Sequence, residues 1–403
     1  MKITNLNELR NFAREVTQGF GAEFKAPFAF GIARLTRGAN QSVLKADFAV
    51  VNSAGEADAT AAVLLYAIAK NGAKIKFDSS EFRANFGRKE VADALEIFDF
   101  LLDEAVGEAH KNLQVLMAVS NALDDEFSQE EDADGLFEAV FLWEDAKPLS
   151  VEAVYAKLYL LSTQKAAIRS LNLDGAFGLM PNLAWDYFGE CFELDFLREN
   201  EIALKMNGTY PAIAYVDKFP RYLSCVVPPQ NVRILDSAKV RMGAHLGVGT
   251  TVMPGAAYIN FNAGTNGAVM VEGRVSSSVS VGEGSDVGGG ASILGVLSGT
   301  NGNPITIGKR CLLGANSVTG VPLGDDCIVD AGIAILEGTK VFLSKAEGEK
   351  LSAVNPQFAF DKEIYKALDL AGLNGLHYRQ NSQTGQISVS LSKRAIKLNS
   401  QLH

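Results

Sequence analysis

The sequence is short of the residues that bind metals and cross-link chains. It holds four cysteines, Cys191, Cys225, Cys311 and Cys327, and no two are at CxxC spacing. That spacing excludes a zinc ribbon and fits free thiols in a reducing compartment. The four histidines, His110, His245, His377 and His403, form neither an HExxH nor an HxH pair, so histidine-metal chemistry has no motif to stand on. Basic charge is also scarce. The 37 Lys and Arg are outnumbered by 47 Asp and Glu, and the formal net charge is −10. An acidic body repels phosphate backbones, which argues against general nucleic-acid binding. No long apolar run exists: the longest, Ala61 to Ala69, falls far short of the ~20 residues of a membrane span. The opening MKITNLNELR lacks the apolar core of a secretory signal. A cytoplasmic protein with neither nucleic-acid nor membrane partner is expected. The rest of the composition, 47% hydrophobic and 21% charged over 403 residues, is that of a globular chain with two or three domains.

A second shortage is local. Between Ile234 and Val341 only two of the 35 aromatic residues occur, Tyr258 and Phe261, yet 21 of the 38 glycines do. A segment with so few large side chains cannot build a helix-packed core, and its Val, Thr and Ser favour strands. A Gly/Ser-rich linker is excluded by periodicity. Aliphatic positions recur every six residues at Ile234, Val240, Leu246, Val252 and Tyr258. They resume after a slip at Val269, Val275, Val281, Val287 and Ile293. The insertion LSGTNGNP interrupts them, and they return at Ile307, Leu313 and Thr319, then at Leu323, Val329, Ile335 and Val341. A small residue often follows four places later, as at Ala244, Thr250, Ser285, Ala291, Cys311, Ser317, Cys327 and Thr339.

A period of six is neither the 3.6 of a helix nor the 2 of a half-buried strand. It is the hexapeptide period of a parallel β-helix. The aliphatic side chain points into a narrow triangular prism, and the small residue occupies a corner. Five to six coils stacked at ~4.8 Å make a prism roughly 25–30 Å long. No coil buries its interior alone, so stacking supplies the stability. Cys311 and Cys327 fall on small inward positions and read as packing residues, not nucleophiles.

The flanks read differently. Residues 1–228 form a mixed α/β domain. Helices are expected over Leu6–Val16, Ala57–Lys70, Leu113–Leu123 and Val151–Leu161, and strands over APFAFGIARL, VLKADFAVV and GLFEAVFLW. The run Asp124 to Asp134, with seven acids, reads as a solvated loop or helix end. Pro228-Pro229 marks the entrance to the β-helix of residues 229–343. Residues 344–403 form a cap. Here FDKEIYKALDLAG reads as a helix closed by Gly372, and LHYRQ and QISVSLS read as strands around a turn from Asn381 to Gly385.

Fold does not give function. Carbonic anhydration on such a prism needs three zinc histidines, and the repeats contain only His245. A sugar nucleotidyltransferase needs an N-terminal Gly-rich loop ending in Arg, which is missing. Acyl transfer and a non-catalytic scaffold stay open. Non-repeating polar residues concentrate in NFNAGTNGAVMVEGRV. In it Glu272 lies two residues before Arg274, a spacing that on a strand puts both on one face, where a guanidinium keeps a carboxylate ionised.

At this point the sequence resembles the longer form of the tetrahydrodipicolinate N-succinyltransferase family. The resemblance is carried by VRMGAHLGVGTTVM, NFNAGT, MVEGR, VGEGSDVGGGASILGVLSG, IGKRCLLGANS, LGDDCIVDAG and LHYRQNSQTG, across about residues 230 to 390. It implies a left-handed prism, an exception to the usual crossover rule. It also implies a homotrimer with active sites between neighbouring prisms. The implied reaction moves succinyl from the co-substrate succinyl-CoA to the amino group of ring-opened tetrahydrodipicolinate, on the route to diaminopimelate and lysine, with no resident cofactor. A different CoA-dependent N-acyltransferase is the alternative, and a trimeric scaffold the third reading.

The resemblance assigns Glu272 as catalytic, either a base for the ammonium proton or the carrier of a transient acyl anhydride. Gly295 matches a glycine at the acyl end, where bare backbone can approach the thioester. Arg274 is implied to hold a carboxylate in its planar fork. Gly289, Ser292, Ala315, Asp330, Ala331 and Gly338 are implied to line the CoA channel. Lys366, Arg379, Gln380, Asn381 and Ser382 are implied to grip the CoA phosphates, Gln380 standing where the family often has a basic residue. Relatives that bind magnesium on the trimer axis carry acids where this chain has Lys239 and Ala256, so no metal site is expected.

Overall fold

A computed structural model describes residues 2–124, 135–296 and 302–393. All of the expected loop Asp124–Asp134 but Asp124, which ends a helix, and most of the insertion LSGTNGNP lie outside the described residues. The chain divides into two compact units, Met1–Leu160 with Leu171–Lys218, and Leu161–Ser170 with Phe219–His403. The division falls before Pro228, and the C-terminal cap shares one unit with the prism, where the sequence suggested three domains.

The first unit is built on an antiparallel sheet of β1 (Ala29–Arg37), β2 (Val43–Ser53), β3 (Glu81–Asn85) and β4 (Phe137–Leu142), in the order β2-β1-β4-β3. Its buried side chains include Phe30, Phe82, Phe141 and Trp143, and the last two rings stack at 5.4 Å. Helix α1 (Leu6–Gly19) begins where Asn5 Oδ1 accepts the backbone N–H groups of Asn7 and Glu8, both at 3.0 Å. That cap satisfies two otherwise orphaned donors. Helix α2 (Asp58–Lys70) buries Ala61 through Leu65, Ala67 and Ile68, which explains the apolar run: it is a core helix. Helices α3 (Arg88–Phe98) and α4 (Lys111–Asp124) complete this layer. A second sheet joins β5 (Leu183–Asp186), β6 (Cys191–Glu193) and β7 (Ile213–Asp217). Lys157 of α5 (Val151–Ser162) is buried, and its ammonium is held by Asp145 at 2.6 Å and the carbonyls of Ala146 and Asn172. A buried charge survives only with such partners.

The second unit is a parallel β-helix. Its first face stacks Ile234, Val252, Val271, Val287, Leu313 and Val329 in register. The second stacks Val240, Ile259, Val275, Ile293, Thr319 and Ile335. The third stacks Thr265, Val281, Ile307 and Leu323. Six coils result. Nearly every one of these side chains is inaccessible to water.

Two details of the periodicity need correcting. Tyr258 is only half-buried, and Ile259 takes the inward place. Val269 is not a wall residue: it fills the corner site four places after Thr265, while Thr265 and Val271 are the wall residues. The run is therefore not a single slip. The side from Val252 to Ile259 is one residue long, and the sides from Val271 to Val275 and from Thr319 to Leu323 are two residues short. Most full-length sides turn on a residue of positive φ, such as Gly284 at 76°, Gly290 at 71° and Asn316 at 56°, the sides Ile234–Val240 and Ile335–Val341 being exceptions. The two short sides have none.

Cys311 and Cys327 stack in adjacent coils, fully buried, with Sγ donating to the carbonyls of Gly324 and Leu373. A strap, Leu161–Ser170, lies against the prism. Gly243 N–H donates to Ser162 Oγ at 2.8 Å, Arg169 N–H to Asn262 Oδ1 at 2.8 Å, and His245 Nδ1 meets the Ala166 carbonyl at 3.2 Å.

The cap extends the first face. Strand Leu376–Gln380 sets Tyr378 beside Val329, and strand Ile387–Leu391 pairs with both it and Lys340–Phe342. The expected helix over Phe360–Gly372 is absent. That stretch is a strand, Ile364–Lys366, and a 3₁₀ turn, Ala367–Leu370. Tyr365 is buried between exposed Ile364 and Lys366, so a local period of two prevailed over helical propensity. The helix is instead Lys345–Val354, capped by Ser344. Gly372 does take positive φ, at 73°.

Two predictions follow from this packing. Leu313→Ala should cost about 2–5 kcal/mol, read as a lower denaturation midpoint of the full chain. Burial lowers the pKa of His245, against the smaller opposite effect of the Ala166 carbonyl. The unfolded chain then binds the extra proton first, so stability present above the ordinary histidine pKa is lost as pH falls through it. The melting temperature should drop between pH 7 and pH 5, and His245→Gln should shrink that drop.

Candidate active site

The short side from Val271 to Val275 decides where Glu272 points. With no left-handed residue to bulge it, the chain bends at Gly273, and Glu272 leaves the prism at the corner between the first and second faces. An added Cβ at Gly273 would stand 2.3 Å from the Ala291 carbonyl oxygen, so only glycine closes this corner without displacement. Glu272 N–H donates to the Val287 carbonyl at 2.8 Å.

Backbone bonds then run down the corner. Gly290 N–H donates to Glu272 O at 3.2 Å, Asn316 N–H to Gly289 O at 3.0 Å, and Gly332 N–H to Ala315 O at 2.9 Å. Glu272, Gly289, Ala315 and Ala331 thus stand in one column, a coil apart. A Cβ added to Gly289 would lie 3.6 Å from Glu272 Oε2, so the carboxylate sits over nearly bare backbone. The column is a strip of small residues headed by a carboxylate.

Arg274 begins the second face. Its Nε and Nη2 both donate to Ser292 Oγ, at 3.1 and 2.5 Å. Among the described residues no ion pair joins it to Glu272, contrary to the expectation for two residues on one strand. The corner at Gly273 intervenes, so the two side chains leave from different faces. At the far edge of the second face stands Gly295, whose Cβ position is 3.0 Å from Ser276 Cβ and 3.4 Å from the Ser277 carbonyl. Gly338 is exposed in the turn that follows Ile335, beyond that same edge.

Asp330 precedes Ala331 in the column, but its carboxylate turns to the cap. His377 Nε2 is 2.8 Å from Oδ1 and Arg379 Nε 3.8 Å from Oδ2. Lys366 is directly opposite Lys340. In the same row Asn381 N–H bonds the Gln386 carbonyl. Asn381 Oδ1 accepts the N–H groups of Gln383 and Thr384, which organises the turn that exposes Ser382, and Gln380 Nε2 donates to the Gly385 carbonyl. The structure therefore gathers Glu272, Arg274, Gly289, Ser292, Ala315 and Ala331 along one corner. Lys366 and Arg379 to Ser382 belong to the cap, and Gly295 and Gly338 to the opposite edge.

Sequence reasoning did not single out His377, which meets Asp330. His377 lies within LHYRQ, where alternation puts it on the outward face with Arg379, and that was the available signal.

A six-coil prism with a carboxylate turned out over a column of small residues is the architecture of a hexapeptide-repeat acyltransferase. The comparisons narrow this. Residues 304–337 match the hexapeptide repeat of succinyl-transferase. Residues 7–178 and 180–221 match the N-terminal and middle regions of tetrahydrodipicolinate N-succinyltransferase. A 2,3,4,5-tetrahydropyridine-2,6-dicarboxylate N-succinyltransferase of Nitratiruptor sp. is 56% identical over 385 residues, covering 95% of each chain. Its counterpart in Campylobacter jejuni is 55% identical over 94% of this chain and 95% of its own. A Campylobacter jejuni crystal structure of a candidate 2,3,4,5-tetrahydropyridine-2-carboxylate N-succinyltransferase superposes with a TM-score of 0.90 at 52% identity, covering 98% of this chain and all of that one. The chain belongs to the tetrahydrodipicolinate N-succinyltransferase family, and it is an enzyme.

Gly273→Ala tests the corner. Opening it should lower stability by about 1–3 kcal/mol and cut the rate of CoA release at least tenfold, measured on protein confirmed as folded by its melting curve.

Proposed function

We propose that this chain transfers succinyl from succinyl-CoA to the amino group of ring-opened tetrahydrodipicolinate. The amine nitrogen attacks the thioester carbonyl, the C–N bond forms, the C–S bond breaks, and CoA leaves as its thiol. The nitrogen must shed a proton, and the carbonyl oxygen must be stabilised while it carries charge. Glu272 is the one carboxylate at the head of the column. It acts there either as the base that takes the ammonium proton or as the nucleophile whose transient anhydride is opened by the amine. Arg274, held by Ser292, is placed to bind a carboxylate of the succinyl group or of the acceptor. The column Gly289, Ala315 and Ala331 offers backbone to the pantetheine arm, with Gly295 and Gly338 serving the same ligand from a facing edge. Lys366, Arg379, Gln380, Asn381 and Ser382 receive its phosphates.

Such a use of both edges requires neighbouring prisms, which is the homotrimer the family resemblance implies, with left-handed coils and no resident cofactor. Among the described residues no helix is long and apolar enough to cross a membrane, and a small-molecule reaction in the cytoplasm is in keeping with that. The observation that carries the reading is the outward Glu272 over the bare Gly289, in a chain 56% identical to a relative of that activity.

The test is CoA release with tetrahydrodipicolinate and either succinyl-CoA or acetyl-CoA. Succinyl-CoA should be the better donor, and Glu272→Gln should lower its turnover by a factor of ~10³ or more while the trimer mass by light scattering stays the same. Wild-type rates in that variant would refute the role given to Glu272, and equal rates with both donors would refute the donor.

A further inference from the structure

A second polar cavity lies between the last coil and the C-terminal strands. It holds about 600 Å³ and is lined by Asp330, Glu347, His377, Arg379, Ser390 and Lys393, among others. Its charges are unevenly satisfied. Glu347 is fully engaged, with Lys350 at 2.5 Å and the Leu391 N–H at 2.9 Å. Lys393 is exposed and makes no ion pair within 4 Å among the described residues, its charge reaching Glu347 only at longer range. Arg379 is 60% exposed and only 3.8 Å from Asp330, too long for a hydrogen bond. The buried ring is His377, whose Nε2 lies 2.8 Å from Asp330 Oδ1 and 3.1 Å from Arg379 Nε.

One ring nitrogen cannot serve both neighbours. It either donates its proton to the carboxylate or accepts the guanidinium proton. If His377 did not hold Asp330, the carboxylate would be free to close on Arg379 as a bidentate pair, the strongest arrangement open to both. The guanidinium would then be lost to any ligand. With Nε2–H on Asp330, Arg379 can turn into the cavity beside Lys393, and two cations face the same space.

We propose that His377 is a positioning residue for the acyl donor: it holds the Asp330 carboxylate so that Arg379 and Lys393 close on a phosphomonoester in this cavity. The ligand group is the 3′-phosphate of the CoA moiety, so the inference rests on the acyl-transfer reading above. No covalent bond changes; the guanidinium exchanges its contact with the imidazole for one with the phosphate.

The experiment compares kcat/KM of the full chain for succinyl-CoA and for succinyl-3′-dephospho-CoA, with inorganic phosphate as a third arm. Wild type should prefer the phosphorylated donor at least ~10-fold, the difference residing in KM. Lys393→Met and His377→Gln should each narrow that preference, the loss falling on the phosphorylated donor. Adding Asp330→Asn to His377→Gln should restore it, because the competitor for Arg379 is gone. Lys393→Met is a surface change and decides the matter if His377→Gln does not fold. Turnover of both donors without preference overturns the inference alone, as does a His377→Gln loss shared equally by both donors. Inorganic phosphate that raises the melting temperature even under saturating succinyl-CoA overturns the 3′-phosphate assignment. Turnover of neither donor overturns the acyl-transfer reading and this inference with it.

Discussion

Everything in the second unit follows from the narrowness of the prism. Three aliphatic rows must meet in a narrow interior, and each coil is held mainly by the coils above and below. Such an interior fixes the direction of every side chain around the perimeter. A residue is inward, at a corner, or outward, and the choice is made by its distance from the last wall residue. Most full-length sides absorb their spare length in a left-handed corner residue such as Gly290 or Asn316. Shortening a side by two residues removes that bulge and changes which residue leaves the corner. At Val271–Val275 the residue that leaves is Glu272, and the glycine required to close the bend is Gly273. A stability constraint thereby places a chemical group.

The same rigidity explains how the open end of the prism is closed. A stacked coil ends in unpaired strand edges, which need cover. Strand Leu376–Gln380 continues the first face and so brings His377 and Arg379 beside Asp330 of the last coil. Strand Ile387–Leu391 then ties in Lys340–Phe342, and with it Lys366. The cap therefore both seals the prism and gathers cationic side chains within one unit of an otherwise acidic chain.

How much of this could be read from residues alone depends on how much of it repeats. The prism was legible because its constraint recurs at every side: Val275, Val281, Val287 and Ile293 each occupy the place the period assigns. Helix α2 was legible because a continuous apolar run bounded by polar residues suits only a core helix of that length. The errors sit where the repeat is broken. Val269 looked like a wall residue because it is aliphatic, yet it fills a corner that usually takes a smaller group, and no local feature separates the two. The stretch Phe360–Gly372 has good helix formers, but its pairing with Lys340–Phe342 is a tertiary contact, invisible in sequence. Glu272, Gly289, Ala315 and Ala331 were proposed as site residues through resemblance. That they form one column is a matter of register, which only the stacking reveals.

The separation of Glu272 from Arg274 bears on the chemistry itself. Paired with a guanidinium, a carboxylate gains stabilisation in its charged form, and both its basicity and its nucleophilicity fall. A base or an anhydride-forming nucleophile would work against that pairing. The corner at Gly273 avoids the conflict by turning the two side chains onto different faces, and Ser292 gives the guanidinium a neutral partner in place of the carboxylate. Arg274 and Glu272 therefore form no ion pair with each other, which agrees with the separate roles proposed for them. Two groups adjacent in sequence and opposite in charge can then act on different parts of the substrates, because two residues were removed from one side of a coil.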